Sequence, residues 1–406
     1  MNTEIKIVIT GHIDHGKSTL IGRILYDTHS LSEEIQKQLE QLEKKERTVA
    51  FASLLDQLQE ERAEEKTIDT TCTYFKTQQK SYVIIDAPGH KEYTKNMVTG
   101  ASKADIAVIV IAANEGVKEQ TQRHTFLLKL LGIKNVIVVI TKMDLIAYSQ
   151  RIYDFISAQF SDYLKRCDIQ SLGFIPVSSV EGEGILYKSS KQLWYKGKTL
   201  LETFDLYELK NHEEKSLVFP VQDIYNVNQI DYLVGKVESG TIKKGQNVMV
   251  LPERKEIKVI NIKKWKETLE NASCGECIGL EFEKMVNIKR GDVITDEENK
   301  LKIKIEIKAL IFWLDEIPLD KNITELTIEI ATQSFVCRID KIYRKINSST
   351  LEELSIDPSV ILFTEVAEVL IKMKEKIVFE SFLNNSALGK FVLLRDDKIV
   401  AGGIIL

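Results

Sequence analysis

The chain is short of cysteine, of long apolar runs and of net charge. Its five cysteines are odd in number and irregular in spacing, which excludes a disulfide framework and points to a reducing compartment. Only Cys274 and Cys277 stand close together. A zinc site would need two further ligands at set spacing and none follows, so the pair reads as a strand edge and a turn. No uninterrupted apolar stretch reaches the ~20 residues that a membrane helix needs, and no basic segment followed by an apolar one opens the chain. A cytoplasmic location without membrane contact is therefore expected. The 55 Lys and Arg against 60 Asp and Glu give a net charge of -5, which argues mildly against a dedicated nucleic-acid binder, although a local basic face fits within that total. No internal repeat or low-complexity linker is evident.

What is present is an ordinary globular composition, 44% hydrophobic and 28% charged, spread over 406 residues, too many for one core and enough for two or three domains. The most informative stretch comes first. An apolar strand, Ile5 to Thr10, runs straight into Gly11-His12-Ile13-Asp14-His15-Gly16-Lys17-Ser18-Thr19. Glycines at this spacing let successive backbone N–H groups turn toward phosphate oxygens, Lys17 adds a charge near the β and γ positions, and Ser18 offers a hydroxyl to magnesium. Leu20 to Leu25 has the apolar content of a helix packing back on the sheet, its positive dipole end under the anion.

Further along, Ser32 to Arg47 carries Ile35, Leu39 and Leu42 at helical spacing behind a Ser32 cap, and a second amphipathic helix is expected over residues 51 to 65. Strands are expected over Thr70 to Gln78, Lys80 to Ile85, Ile106 to Ala112, Val136 to Ile140 and Phe174 to Val177, and a last helix over Thr199 to Leu209. Strands alternating with helices imply a doubly wound, mostly parallel α/β sheet with ligands at the strand ends. Past residue 212 the texture changes to short β-rich runs with glycine turns, which suggests small β-barrels. The expected domains are residues 1–212, 213–302 and 303–406.

Four elements stand in the order a P-loop GTPase requires. Asp86, at the head of Asp86-Ala87-Pro88-Gly89, is placed to hold magnesium through water, and the Gly89 N–H can face the γ-phosphate. Thr67 is the candidate that reaches the same ion only when the γ-phosphate is present, so that the metal set is Ser18, Thr67 and Asp86. Thr141-Lys142-Met143-Asp144 reads the base: the Asp144 carboxylate can accept both donors of guanine, a pair that adenine lacks, while Lys142 lies along the ring. Ser178 and Ser179 can close over the guanine oxygen. His90 is the candidate to orient the attacking water, and His15 reads as a loop-packing residue.

These motifs, with the stretch GHKEYTKNMVTGAS after Pro88 and Thr67-Ile68-Asp69, resemble the translation-factor class of GTPases typified by elongation factor Tu. FASLLDQLQEERAEEKTID, RHTFLLKLLGIKNVIVVITKMDL, Phe312-Trp313-Leu314 and the closing Gly402-Gly403-Ile404-Ile405 are similar, within that class, to the GTP-hydrolysing subunits of heterodimeric ATP sulfurylases. That resemblance implies a GTPase domain followed by two β-barrels, GTP and Mg2+ as cofactors, and a small ATP-pyrophosphatase-like partner that transfers adenylyl from ATP to sulfate. An elongation factor delivering aminoacyl-tRNA is the alternative. Three positions depart from the family: Glu65-Lys66 replaces Gly-Ile before the switch threonine, Ser179 replaces Ala, and Thr141 replaces an Asn whose amide would tie the base-reading loop to the phosphate loop.

Overall fold

The computed structural model describes residues 4–42, 50–51, 72–86, 104–208, 216–227, 229–265, 267–283, 287–298, 301–320, 325–356 and 359–406. They fall into two compact units, Met1–Leu209 with Ser348–Leu351, and Lys210–Asn347 with Glu352–Leu406. Among the described residues no helix is long and apolar enough to cross a membrane.

The first unit is built on a six-stranded sheet in the order β2-β3-β1-β4-β5-β6, with β1 at Ile5–Gly11, β2 at Cys72–Lys76, β3 at Ser81–Asp86, β4 at Ile106–Ala112, β5 at Asn135–Thr141 and β6 at Gln170–Pro176. β2 runs antiparallel to β3, and the other neighbours are parallel. Every residue of β4 is buried, as is all of β5 after Asn135. Such β-branched runs without polar alternation belong to strands covered on both faces. The helices of this unit among the described residues are α1 (Lys17–Asp27), α2 (Glu33–Gln41), α3 (Glu119–Leu130), α4 (Gln150–Arg166) and α5 (Leu200–Leu206). α4 shows how the pattern works: Ile156, Phe160, Tyr163 and Leu164 face inward at helical spacing, while the exposed side is mostly polar apart from Ile152 and Phe155.

Helix ends explain where the structure and the sequence reading part. Ser32 does cap α2, its hydroxyl accepting from the Ile35 N–H at 3.5 Å, but the helix stops at Gln41. The expected extension to 47 and most of the helix over 51–65 lie outside the described residues. Thr199 caps α5 with a reciprocal bond to Glu202. That helix closes at Leu206 rather than 209 because Lys80 reaches over its end, donating to the carbonyls of Asp205 at 2.7 Å and Tyr207 at 2.6 Å, the acceptors a further turn would have used.

The second unit holds two closed barrels of six strands each. In the first, Asn247–Leu251 pairs with both Val293–Thr295 and Lys255–Lys264, and Val218–Val227, Ile230–Lys236 and Cys277–Phe282 complete the ring. In the second, Glu325–Ile330 pairs with both Lys390–Arg395 and Gln333–Asn347, and Lys398–Ile405, Lys302–Trp313 and Glu365–Phe379 complete it. Inward residues fill each ring, among them Phe219, Leu233 and Val259 in one and Ile311, Trp313 and Val369 in the other. The barrels share an apolar seam of Val218, Leu251 and Val293 against Leu301, Val378 and Leu388. Cys274 lies in the turn before the strand that Cys277 opens.

Candidate nucleotide site

β1 sits at the centre of the sheet, where the chain crosses to β3 on one side and β4 on the other, so its carboxyl end opens on the crevice that such sheets offer to ligands. The loop from Gly11 to Gly16 leaves from there. Gly11 is in register with Val110 of β4, and a Cβ at Gly11 would stand 2.4 Å from the Val110 carbonyl oxygen. Gly16 has φ of 85° and caps α1, a left-handed conformation that glycine adopts without cost. α1 starts at Lys17, so Lys17, Ser18 and Thr19 form its first turn, whose amides have no partner within the helix. The Lys17 ammonium arches over the loop and donates to the carbonyls of Gly11 at 3.1 Å and His12 at 2.8 Å.

Three histidines pack around this loop. The His15 side chain is fully buried and its Nδ1 lies 3.2 Å from the Val110 carbonyl. A carbonyl only accepts, so Nδ1 carries the proton and Nε2 is the bare nitrogen. Nε2 has no hydrogen-bond partner among the described residues and faces Glu115 at 3.8 Å. Burial pushes the His15 pKa down to about 4, which leaves the ring neutral near pH 7. The His12 Nδ1 meets the Gln120 Oε1 at 2.6 Å, and its ring stands edge-on to that of His15 with centroids 5.1 Å apart. His124, on α3, meets the Thr10 hydroxyl at 3.0 Å, and burial, with the charge of Lys17 second, pushes its pKa down to about 3.

The candidate base-reading loop follows β5. Thr141 is buried at the end of that strand, and the sequence reading, in which its replacement of Asn gives up the tie to the phosphate loop, is corrected here. The Thr141 hydroxyl donates to the His15 carbonyl at 2.7 Å, so a shorter side chain makes the link. Lys142 has φ of 58° and leads into a 3-10 turn at Met143–Ile146. Its ammonium lies 3.9 Å from Glu115, which also approaches Lys118 at 3.5 Å. Met143 is buried and its N–H donates to the Val177 carbonyl at 3.3 Å. The Ser178 hydroxyl donates to Asp144 Oδ1 at 2.6 Å. Ser179 is buried beside it.

Asp86 ends β3, its backbone paired with Ile9 of β1, so it and the phosphate loop leave adjacent strands at the same end of the sheet. Thr67, Ala87, Pro88, Gly89 and His90, with Glu65-Lys66, lie outside the described residues. Sequence reasoning passed over His124, Glu115, Tyr148, Glu181 and Trp194. Only His124 carried a usable signal, a polar residue within the apolar helical run His124 to Leu131.

Residues 2–210 match the family model described as the elongation factor Tu GTP binding domain, and residues 306–406 match the GTP-eEF1A C-terminal domain-like model. The chain is 34% identical to sulfate adenylyltransferase subunit 1 of Bacteroides thetaiotaomicron, over 96% of this chain and 83% of that one. A protein of the same name from Alteromonas mediterranea is 34% identical over 98% of this chain and 85% of its own. Elongation factor 1-alpha of Pyrococcus furiosus is 36% identical over 99% of this chain and 97% of its own.

Proposed function

Since the chain belongs to the elongation factor Tu family of GTP-binding proteins, we propose that it is the GTP-hydrolysing subunit of a cytoplasmic sulfate adenylyltransferase, driving adenylyl transfer by a smaller partner. In this reading the phosphate-loop amides and Lys17 hold the β and γ phosphates, and the Asp144 carboxylate accepts from both guanine donors while Ser178 and Ser179 close over the base. Magnesium suits the oxygen donors of Ser18, Asp86 and Thr67 and, when bound, would offset the charge of the phosphates. Asp86 and the loop that leads into Ser18 leave neighbouring strands at one end of the sheet, which supports that donor set. His90 orients the attacking water. The partner joins sulfate to the α-phosphorus of ATP and releases pyrophosphate, an uphill step that a γ-phosphate-dependent switch can drive.

The observation that carries the sulfurylase half is a seam in the second barrel. The two stretches that favour a sulfurylase subunit over an elongation factor, one at Phe312-Trp313-Leu314 and one at Gly402-Gly403, are strand neighbours, with Phe312 paired to Gly402 and Ile311 to Gly403. The distinguishing residues thus form one local feature rather than scattered matches. The experiment is to combine the chain with a candidate small subunit and follow pyrophosphate release from ATP and sulfate with GTP, GDP or a non-hydrolysable analogue. GTP alone should stimulate, and His90→Ala should keep nucleotide binding while slowing hydrolysis tenfold or more, about 1.4 kcal/mol.

A second reading, an elongation factor carrying aminoacyl-tRNA, is favoured by the similarity to elongation factor 1-alpha of Pyrococcus furiosus, 36% identical over 99% of this chain. Sub-micromolar binding of aminoacyl-tRNA at physiological salt, with no GTP effect on pyrophosphate release, would put this reading in place of the first.

A further inference from the structure

The base-reading loop leaves its 3-10 turn through two consecutive left-handed residues, Ala147 with φ of 49° and Tyr148 with φ of 57°. Neither is glycine or asparagine, so neighbours must hold the pair in place. Part of the restraint is local: the Tyr148 N–H donates to the Met143 carbonyl at 2.9 Å, and the Ala147 N–H donates to that of Asp144 at 3.3 Å. The rest comes from the segment after β6. The Trp194 indole N–H donates to the Tyr148 carbonyl at 3.1 Å, and the Tyr148 hydroxyl donates to Glu181 Oε2. Lys191 donates to that same oxygen, with its ammonium 5.3 Å from the centre of the Tyr148 ring. Trp194 is in turn packed on Tyr153 of α4, centroids 4.9 Å apart.

This network reaches the base-reading groups in two bonds. The Glu181 N–H donates to the Ser178 hydroxyl oxygen at 3.3 Å, and that hydroxyl donates to Asp144 Oδ1 at 2.6 Å. Glu181 therefore grips the chain after Asp144 through Tyr148, and the partner of Asp144 through Ser178. Burial, followed by the bond to Glu181, holds the Tyr148 hydroxyl above its ordinary range, so it remains a donor at any working pH.

We propose that Tyr148, Glu181 and Trp194 form a clamp that positions Asp144 and Ser178, and so sets how strictly the site separates guanine from purines that lack its exocyclic amine. This rests on the guanine-nucleotide reading above. A carboxylate must be fixed in angle to accept from the ring N–H and the exocyclic amine together, whereas one that swings can still accept from the ring N–H alone. Loosening the clamp therefore weakens the amine contact first. Phosphate binding, which belongs to a different loop, is spared.

The test uses the full chain and calorimetric dissociation constants for GDP and for IDP, whose base is guanine without the amine. The unaltered chain should favour GDP. Tyr148→Phe, which removes one oxygen, and Glu181→Ala should each narrow the GDP to IDP ratio about five- to tenfold, mostly by weakening GDP. Glu181→Gln, whose amide oxygen still accepts from Tyr148, should restore most of the ratio, and Trp194→Phe should fall between. A purely structural contribution would lower both affinities together. If Tyr148→Phe and Glu181→Ala left the ratio within twofold of the unaltered value, the clamp would be refuted. If the unaltered chain bound neither GDP nor IDP, the guanine reading itself would fall and the clamp with it.

Discussion

The two units handle their strand ends in opposite ways. In the first the sheet is open and mostly parallel, so the loops after β1, β3, β5 and β6 leave its carboxyl side together, and two of them are tied directly through Thr141 and His15. In the second the strands run antiparallel and close into two rings, which uses up the hydrogen-bonding edges and leaves apolar filling inside. The candidate site residues gather where the open sheet exposes backbone and loops. The rings enclose apolar cores instead.

If that division holds, damage to one unit should be read differently from damage to the other. Lys17→Ala should weaken GDP and GTP binding by on the order of 3–5 kcal/mol, because it leaves buried phosphate charge without its cation, while the unfolding midpoint in the absence of nucleotide stays near that of the unaltered chain. Calorimetry and a thermal melt read the two quantities. Ile311→Ala should do the reverse, costing about 2–5 kcal/mol of stability through the cavity it leaves in a filled ring, with GDP affinity within twofold. A large loss of GDP affinity from that substitution would break the comparison.

Two smaller effects sharpen it inside the first unit. Thr141→Val keeps the shape but removes the donor to the His15 carbonyl. GDP affinity should fall roughly five- to tenfold, about 1–1.4 kcal/mol, within the range for a buried acceptor left unpaired, and titration with GDP measures it. The last concerns pH. His15 and His124 have folded pKa values lowered to about 4 and about 3, so below the ordinary value of 6.5 the unfolded chain binds protons that the folded one does not. Their stability contribution is complete above about pH 6.5 and is lost as pH falls toward 4, at up to about 1.4 kcal/mol per pH unit for each proton. Denaturant melts at pH 7, 6 and 5 should show the decline, and His124→Asn should make it shallower.

Much of this was legible in the chain itself, and the exceptions share a cause. The buried strands declare themselves as apolar runs, the phosphate loop by the spacing of Gly11, Gly16 and Lys17, and the cap of α2 by Ser32. What stayed hidden depends on residues far apart in sequence: the Thr141 hydroxyl finds a carbonyl 126 positions away, and Glu181 meets Tyr148 across 33. Left-handed backbone at Ala147 and Tyr148 leaves no trace in residue type, because it is imposed by neighbours rather than chosen by the local chain. Barrels were expected from the sequence, but which strands close them was hidden for a related reason. Short β-rich runs with glycine turns announce strands, but only register says which pair meets to close the circle.

The Val110 carbonyl oxygen stands against Gly11 and also accepts from the His15 ring. In a complete substitution scan, tolerance around the phosphate loop would then be uneven. Position 110 should accept other apolar residues of similar size, since what it lends the site belongs to its backbone. Position 11 should reject even alanine, because one added methyl group would land 2.4 Å from that oxygen. The most fragile spot of the candidate phosphate loop is thus a residue with no side chain to lose.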